Sequence, residues 1–113
     1  MRNLDNEATN RLIDALSGFD RINQTIYKYT KSNLTQLNRY MLGGGKQNIT
    51  NPRGLTKGMV AIYTAGDYIS KDMLESMENS SSKRKKLLKN INPDYITYNK
   101  TGELITIEND LAL

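Results

Sequence analysis

The N-terminal run from about Asp5 to Leu42 constrains the fold more than any other stretch of the chain. It contains no proline and one internal glycine, Gly18, and its apolar residues recur at intervals of three and four. That spacing places them on one face of an α-helix, with a shift between Ile26 and Leu34 like a coiled-coil stutter. At about 1.5 Å per residue the helix would measure roughly 55 Å. The pattern therefore predicts a long helix that needs a partner to cover its apolar face.

The apolar face of this predicted helix is the candidate surface for self-association or docking. Two features leave the continuity of the helix open: Gly18 costs about 1 kcal/mol relative to alanine, and residues 24–35 are rich in poor helix formers. The residues that form the predicted face are Leu12, Leu16, Phe19, Ile22, Ile26, Leu34, Leu37 and Met41.

The residue types that the chain lacks exclude several kinds of active site. There is no cysteine and no histidine among the 113 residues, so a disulfide, a thiolate metal site, a cysteine nucleophile and an imidazole base are all excluded. Asp72 and Glu75 lie one helical turn apart, where acids are already expected at the start of a helix. No Gly-x-Ser-x-Gly elbow or nucleotide-binding fingerprint occurs. We therefore expect no catalysis, no metal and no cofactor.

Hydropathy and the N-terminal residues bear on location. No apolar run approaches the roughly twenty residues that a membrane span needs, and the first residues lack the apolar core of a signal peptide. The sequence thus predicts a cytoplasmic or otherwise intracellular protein without membrane contact.

Residues 43–58 are predicted to form a flexible loop rich in Gly, Asn and Pro. Its first three residues are glycines, which are favoured just beyond a helix end. The Gly-Lys pair that ends at Lys46 does not match a P-loop, because Tyr40 stands where the first glycine is required and Gln47 follows the lysine. The loop is either a connector or a segment whose cations contact phosphates.

The remaining residues, 59–113, are predicted to form a small α+β body. The apolar run 59–64 is typical of a buried strand, and residues 71–78 and 83–91 are predicted to form short helices. Two strand-like segments, 95–98 and 103–108, flank a turn at 99–102 and predict a β-hairpin. The predicted fold is therefore α+β: a long N-terminal helix (1–42), a flexible loop (43–58), and a body of two short helices with a three-stranded antiparallel sheet ending in the hairpin (59–113).

The net charge of +4 is unevenly distributed, with a basic peak at residues 83–89 and an acidic C-terminal end. The basic segment could contact either a nucleic acid or an acidic protein surface. The residues predicted to contact phosphates or an acidic partner are Lys83, Arg84, Lys85, Lys86, Lys89, Lys46, Arg53 and Lys57.

These observations favour a non-catalytic structural or adaptor subunit that self-associates or docks through its long helix. The expected state is a homo-oligomer or a subunit of a hetero-assembly, and the composition suits a small viral or phage protein of virion assembly. The alternative is a nucleic-acid-binding regulator that uses the basic segment 83–89. A third hypothesis is a small protein inhibitor.

Overall fold

The computed structural model describes residues 5–79, 87–104 and 107–112, without the side chains of Glu103, Leu104, Ile107 and Glu108. These residues form four helices and one two-stranded antiparallel sheet. The chain divides into two compact units, Asp5–Ala61 and Ile62–Leu113. Each unit has its own buried apolar side chains, Ile13 and Met59 in the first and Met77 and Leu88 in the second.

The predicted long N-terminal helix is wrong, because the chain turns sharply at residues 16–18. Helix α1 spans Asn6–Ala15 and is capped by Asp5, whose carboxylate accepts a hydrogen bond from the Ala8 amide at 2.8 Å. Ser17 and Gly18 then both adopt left-handed backbone, with φ of 71° and 85°. Glycine tolerates this conformation without a steric penalty, so Gly18 marks a break between helices. The apolar spacing of three and four continues across the break, which is why the sequence pattern did not reveal it.

Helix α2, Gly18–Thr30, ends where the prediction had the long helix continue. Lys31 adopts left-handed backbone with φ of 54°. The Thr30 hydroxyl donates to the Ile26 carbonyl at 2.9 Å and accepts from the Ser32 amide at 3.3 Å. Such local side-chain bonds compete with the helical ladder and favour a turn.

Residues 35–50, which we call the Ω-loop, take the place of the last predicted helical turns. Its ends are joined by an antiparallel bridge between Gln36 and Ile49, with hydrogen bonds of 2.9 and 3.1 Å. Inside the loop, the Asn48 side-chain oxygen accepts from the amides of Asn38 and Arg39. The backbone groups that a helix would have paired are thus paired with side chains instead.

The segment predicted as a buried strand at 59–64 lies inside helix α3, Pro52–Ala65. Proline suits the first helical position, and the Asn51 side chain accepts from the Gly54 amide at 2.8 Å. A short apolar run alone does not distinguish a buried strand from a buried helix segment. Here a helix that starts at Pro52 continues through residues 59–64, so the run is helical.

Helix α4, Tyr68–Glu78, contains the predicted 71–78 helix but begins three residues earlier. Asp67 caps it by accepting a hydrogen bond from the Ser70 amide at 2.8 Å. Of the helix predicted at 83–91, residues 83–86 lie outside the described residues, and residues 87–90 form turns.

The antiparallel sheet consists of β1, Asn99–Leu104, and β2, Ile107–Ala112. The predicted strand 95–98 and turn 99–102 are therefore wrong, since the first strand begins where the turn was expected. Thr101 lies opposite Asp110 and Gly102 opposite Asn109, so the C-terminal residues complete the pairing. The part of the chain that the structure describes has no third strand, because the residues expected to supply it belong to α3.

Candidate active site

Strand β1 carries a lysine, a threonine and a glycine in succession, and these residues are the centre of the candidate site. Lys100 is half-buried, and its ammonium donates to the carbonyl of Thr101. Across the sheet Lys100 lies opposite Leu111. Because side chains alternate along a strand, Lys100 and Thr101 emerge on opposite faces. A cation and a hydroxyl are thus held at fixed positions by the ladder of β1 and β2.

Asp110 on β2 fixes the start of β1 and the segment before it. One of its carboxylate oxygens accepts from the Asn99 side-chain amide at 3.3 Å, and the other accepts from the Leu87 backbone amide at 3.0 Å. Asn99 is 1% exposed, and its side-chain oxygen has no hydrogen-bond partner among the described residues. The residue directly before Lys100 is therefore locked in place by a buried polar contact.

The charge of Lys100 is placed in a partly desolvated environment. Burial lowers the pKa of its ammonium, and the Asp110 carboxylate partly opposes this shift. Since burial disfavours the charged form, a bound anion that touches Lys100 would recover part of the lost solvation. The position suits binding of an anion rather than a fully solvated surface role.

The Ω-loop, which belongs to the other compact unit, is held by asparagines of α1 and α2. Asn10 donates to the Met41 carbonyl at 3.2 Å and accepts from the Met41 amide at 2.7 Å. Asn23 makes the same pair of bonds with Leu37, both at 2.8 Å. Each amide side chain thus satisfies both backbone groups of one loop residue, and the loop is fixed at two points.

Aromatic and charged contacts hold the Ω-loop between these two points. The Tyr40 hydroxyl donates to Asp14 at 2.5 Å, and its ring packs on Phe19 with centroids 5.0 Å apart. Arg39 donates to the Gly43 carbonyl and to the Gln47 side chain. Residues 35–50 contain no Asp or Glu.

The predicted self-association face is divided between several elements. Leu16, Ile22 and Ile26 do come together, lining a surface groove of about 490 Å³ at the turn between α1 and α2. Leu12 lies on α1 and is 60% exposed, while Phe19 packs on Tyr40 as described above. The other three residues lie beyond α2: Leu34 is exposed, and Leu37 and Met41 are half-buried parts of the Ω-loop. That these side chains bind a protein partner stays a prediction.

The predicted phosphate-contacting cations are also separated. Arg53 and Lys57, which are both exposed, line one cavity, whereas the exposed Lys46 lies on the Ω-loop and does not line it. Lys89 is exposed in the other unit, and residues 83–86 lie outside the described residues. Among the described residues no three carboxylates gather as a metal site would require, and no described helix is long and apolar enough to cross a membrane.

Comparison with known proteins identifies the family. The sequence profile of the β-lactamase enzyme family matches residues 3–113. A structure of a PBP-A point mutant, an acyl-enzyme complex with penicillin G, is similar with a TM-score of 0.76 and 25% identity, covering 94% of this chain and 40% of that one. A further structure of PBP-A is similar with a TM-score of 0.73 and 24% identity, covering 96% and 46%. The chain thus spans less than half the length of these proteins. No curated protein matches it.

The Lys100-Thr101-Gly102 sequence matches the Lys-Thr-Gly motif of class A β-lactamases and penicillin-binding proteins. The Ser-Asp-Asn motif of these enzymes is incomplete here, since Asp5 and Asn6 follow a leucine at position 4. Their Ser-x-x-Lys motif has two sequence matches, Ser80 to Lys83 and Ser82 to Lys85, which lie outside the described residues. The sequence prediction assigned residues 99–102 to a turn and did not recognise the Lys-Thr-Gly tripeptide. This tripeptide was the sequence signal that could have identified the site.

The family match overturns the functional conclusions drawn from composition. The prediction of a non-catalytic structural or adaptor subunit is wrong, and so are its viral virion-assembly interpretation and the expectation that the chain belongs to no enzyme. The absence of cysteine and histidine does not exclude catalysis, because enzymes with the Ser-x-x-Lys motif use a serine nucleophile and require neither residue. The prediction of an intracellular location and of protein or nucleic-acid partners stays a prediction. The chain belongs to the β-lactamase enzyme family.

Proposed function

We propose that the protein reacts covalently with β-lactams, and that β1 of this chain binds the carboxylate of the β-lactam. The observation that carries the proposal is the Lys100-Thr101-Gly102 sequence on a strand with a half-buried lysine, in a chain that the β-lactamase profile matches from residue 3 to residue 113. The acyl-enzyme of PBP-A with penicillin G supports the same substrate class.

Lys100 supplies the positive charge that binds the carboxylate in this proposal. Penicillins carry a carboxylate beside the β-lactam ring, and a charge-assisted hydrogen bond from a partly desolvated ammonium is stronger than one in water. Asp110 and Asn99 act as positioning residues, because their hydrogen bond holds the start of β1. Binding the carboxylate in this way orients the lactam ring for attack.

The covalent step is transfer of the acyl group to a serine hydroxyl. The serine oxygen attacks the lactam carbonyl carbon, the ring C–N bond breaks, and the ring nitrogen receives the proton that the hydroxyl loses. Class A β-lactamases then use a glutamate to activate the water that hydrolyses the acyl-enzyme. We include in the proposal that the acyl-enzyme is long-lived, because the PBP-A point mutant is seen as an acyl-enzyme complex with penicillin G.

Labelling with a fluorescent penicillin tests the proposal. The full protein should become covalently labelled, and the label should remain after the free penicillin is removed. Lys100→Ala should lower the second-order labelling rate by about 10- to 100-fold, the loss expected for a hydrogen bond to a charged group. Peptide mapping of the labelled protein would identify the acylated serine.

The matched control is Lys89→Ala, which removes an exposed lysine of the same compact unit. It should label at the rate of the unaltered protein. No covalent labelling of the unaltered protein would refute the proposal, and equal rates for the two lysine variants would refute the role of Lys100. Rapid loss of the label would refute only the long-lived acyl-enzyme.

A further inference from the structure

We propose that a basic cavity in the first compact unit binds a small phosphate-bearing anion. The cavity has a volume of about 360 Å³ and lies where the end of α2 meets the start of α3. This volume is within the range of small-ligand sites. The inference does not depend on β-lactam binding. The residues that line the cavity are Thr30, Lys31, Ser32, Leu34, Thr35, Asn51, Arg53, Gly54 and Lys57.

All the ionisable residues of the cavity are cations. Lys31, Arg53 and Lys57 line it, and its lining contains no Asp or Glu. Residues 5–61 contain eight Lys and Arg against four Asp and Glu, whereas the rest of the chain contains eight of each. The whole net charge of +4 therefore belongs to the unit that holds this cavity.

The Asp and Glu residues of this unit do not neutralise the three cations of the cavity. Asp5 caps α1, Glu7 is paired with Arg11, and Asp14 accepts from Tyr40. Asp20 lies in the first turn of α2, roughly 15 Å along the helix axis from the cavity at its end. That distance exceeds the Debye length of about 8 Å at physiological salt. Among the described residues of Asp5–Ala61, therefore, no carboxylate opposes the three cations of the cavity.

Lys57 and Arg53 lie at opposite kinds of helix end: Lys57 contacts the C-terminal end of α2, and Arg53 lies at the N-terminal end of α3. Lys57 donates to the Thr30 carbonyl at 3.3 Å, so its ammonium is held at the C-terminal end of α2, where a cation is favourable. Arg53 lies in the first turn of α3, which contains no acid, and a cation is unfavourable at that end of a helix. An anion in the cavity would offset this repulsion, together with that between Arg53 and Lys31.

The chemistry of the three cations favours a phosphate group over a single carboxylate. A guanidinium can donate two parallel hydrogen bonds to a tetrahedral oxyanion, and two ammonium groups can approach its remaining oxygens as point charges. The neutral polar groups of Ser32, Thr35 and Asn51 also line the cavity. A phosphate dianion matches three cations better than a monovalent carboxylate does.

Thermal unfolding with added inorganic phosphate tests the proposal at constant ionic strength. Phosphate should raise the melting temperature with concentration, as expected when a ligand binds the native state. Glycerol phosphate as a second arm would show whether a phosphate ester is preferred to the free ion, and acetate should give a much smaller shift. Arg53→Gln and Lys31→Asn should each weaken phosphate binding by at least about tenfold. Asparagine suits position 31, because it tolerates the left-handed backbone there.

Lys46→Gln is the matched control, because it removes an exposed cation of the same unit outside the cavity. It should bind phosphate as the unaltered protein does. The proposal is overturned if phosphate causes no shift, if sodium chloride at equal ionic strength reproduces it, or if all three variants respond alike. Without phosphate, Arg53→Gln should melt at or above the temperature of the unaltered protein, and a clearly lower value would contradict the repulsion argued for Arg53.

Discussion

At Gly54, adding a single methyl group is expected to lower the stability of the first compact unit. A Cβ added there would overlap the Thr35 hydroxyl oxygen, which itself contacts the Thr50 hydroxyl at 3.0 Å. Gly54→Ala should therefore force α3 away from the Ω-loop and lower the free energy of unfolding by about 1–3 kcal/mol. Urea unfolding measures the change.

Gly58 provides the matched control on the same helix, because a Cβ added there would meet no atom within 4 Å beyond its own stretch of α3. Gly58→Ala should raise the free energy of unfolding by about 0.5–1 kcal/mol through helix propensity alone. If both variants were stabilised, the close approach of Gly54 to Thr35 would not exist in solution.

Tyr40 connects the Ω-loop to α1 through Asp14. The hydrogen bond to this carboxylate, followed by burial and the negative charge of Asp14, raises the pKa of the Tyr40 phenol. Because the folded-state pKa lies above the unfolded one, this contribution to stability is complete below about pH 10 and is lost as pH rises through the folded-state value. Tyr40→Phe should lower stability at pH 7 and weaken the alkaline loss, as measured by thermal melting between about pH 7 and 11.

Tyr29→Phe is the control for this prediction, since Tyr29 is an exposed tyrosine of α2. It should leave the melting temperature and its pH dependence close to those of the unaltered protein. The same pH profile in both variants would contradict the role assigned to the hydrogen bond between Tyr40 and Asp14.

At the scale of an element, the Ω-loop depends on asparagine side chains that replace backbone pairing. Asn23→Ala removes both bonds to Leu37 and leaves an amide and a carbonyl without partners. We expect a loss of about 1–3 kcal/mol and faster hydrogen exchange at the Leu37 amide. Gln24→Ala, which truncates the next and exposed side chain of α2, should leave that exchange rate unchanged. Unchanged exchange in Asn23→Ala would show that the loop is held by other contacts.

The elements also show how far the fold could be predicted from the sequence. Periodicity placed helical residues over 6–15 and 18–30, but it could not reveal the break, because Ser17 and Gly18 change direction without interrupting the apolar spacing. The Ω-loop was not predictable from propensity, since its structure depends on bonds from Asn10 and Asn23, distant in sequence. These are tertiary contacts, which no local pattern encodes.

The candidate site was missed for a different reason. The Asn-Lys-Thr-Gly sequence has the composition of a turn, and it was predicted as one. Pairing of Lys100 with Leu111 and of Thr101 with Asp110 turns this stretch into a strand. The tripeptide signal was present in the sequence, but three common residues are a weak signal until a family match supports them.

At the scale of the whole molecule, charge and chemistry are divided between the two compact units. The unit Asp5–Ala61 carries the net positive charge and the Ω-loop, whereas residues 62–113 contain seven Lys and Arg against eight Asp and Glu and include Lys100. In the function that we propose, the β-lactam carboxylate is recognised, in a unit without net positive charge, by one half-buried lysine. Its protonation state should control the reaction of the whole protein.

The pH dependence of β-lactam labelling follows from Lys100. Burial lowers the pKa of this lysine below its ordinary value, with the Asp110 charge partly opposing the shift. Since the unfolded chain then binds more protons between the two pKa values, the free energy of unfolding rises with pH in that window. Carboxylate binding requires the protonated form, so the labelling rate should fall as pH rises through the lowered pKa, before reaching the ordinary value of about 10.4.

Lys100→Arg separates this effect from the titration of other groups, because the guanidinium stays charged throughout the range. The ratio of the labelling rate of the unaltered protein to that of Lys100→Arg, measured from about pH 7 to pH 10, should decrease as Lys100 loses its proton. Activation of the serine affects both proteins equally and cancels in the ratio. A ratio independent of pH would mean that the charge of Lys100 does not contact the β-lactam, and the carboxylate would then have to be bound elsewhere.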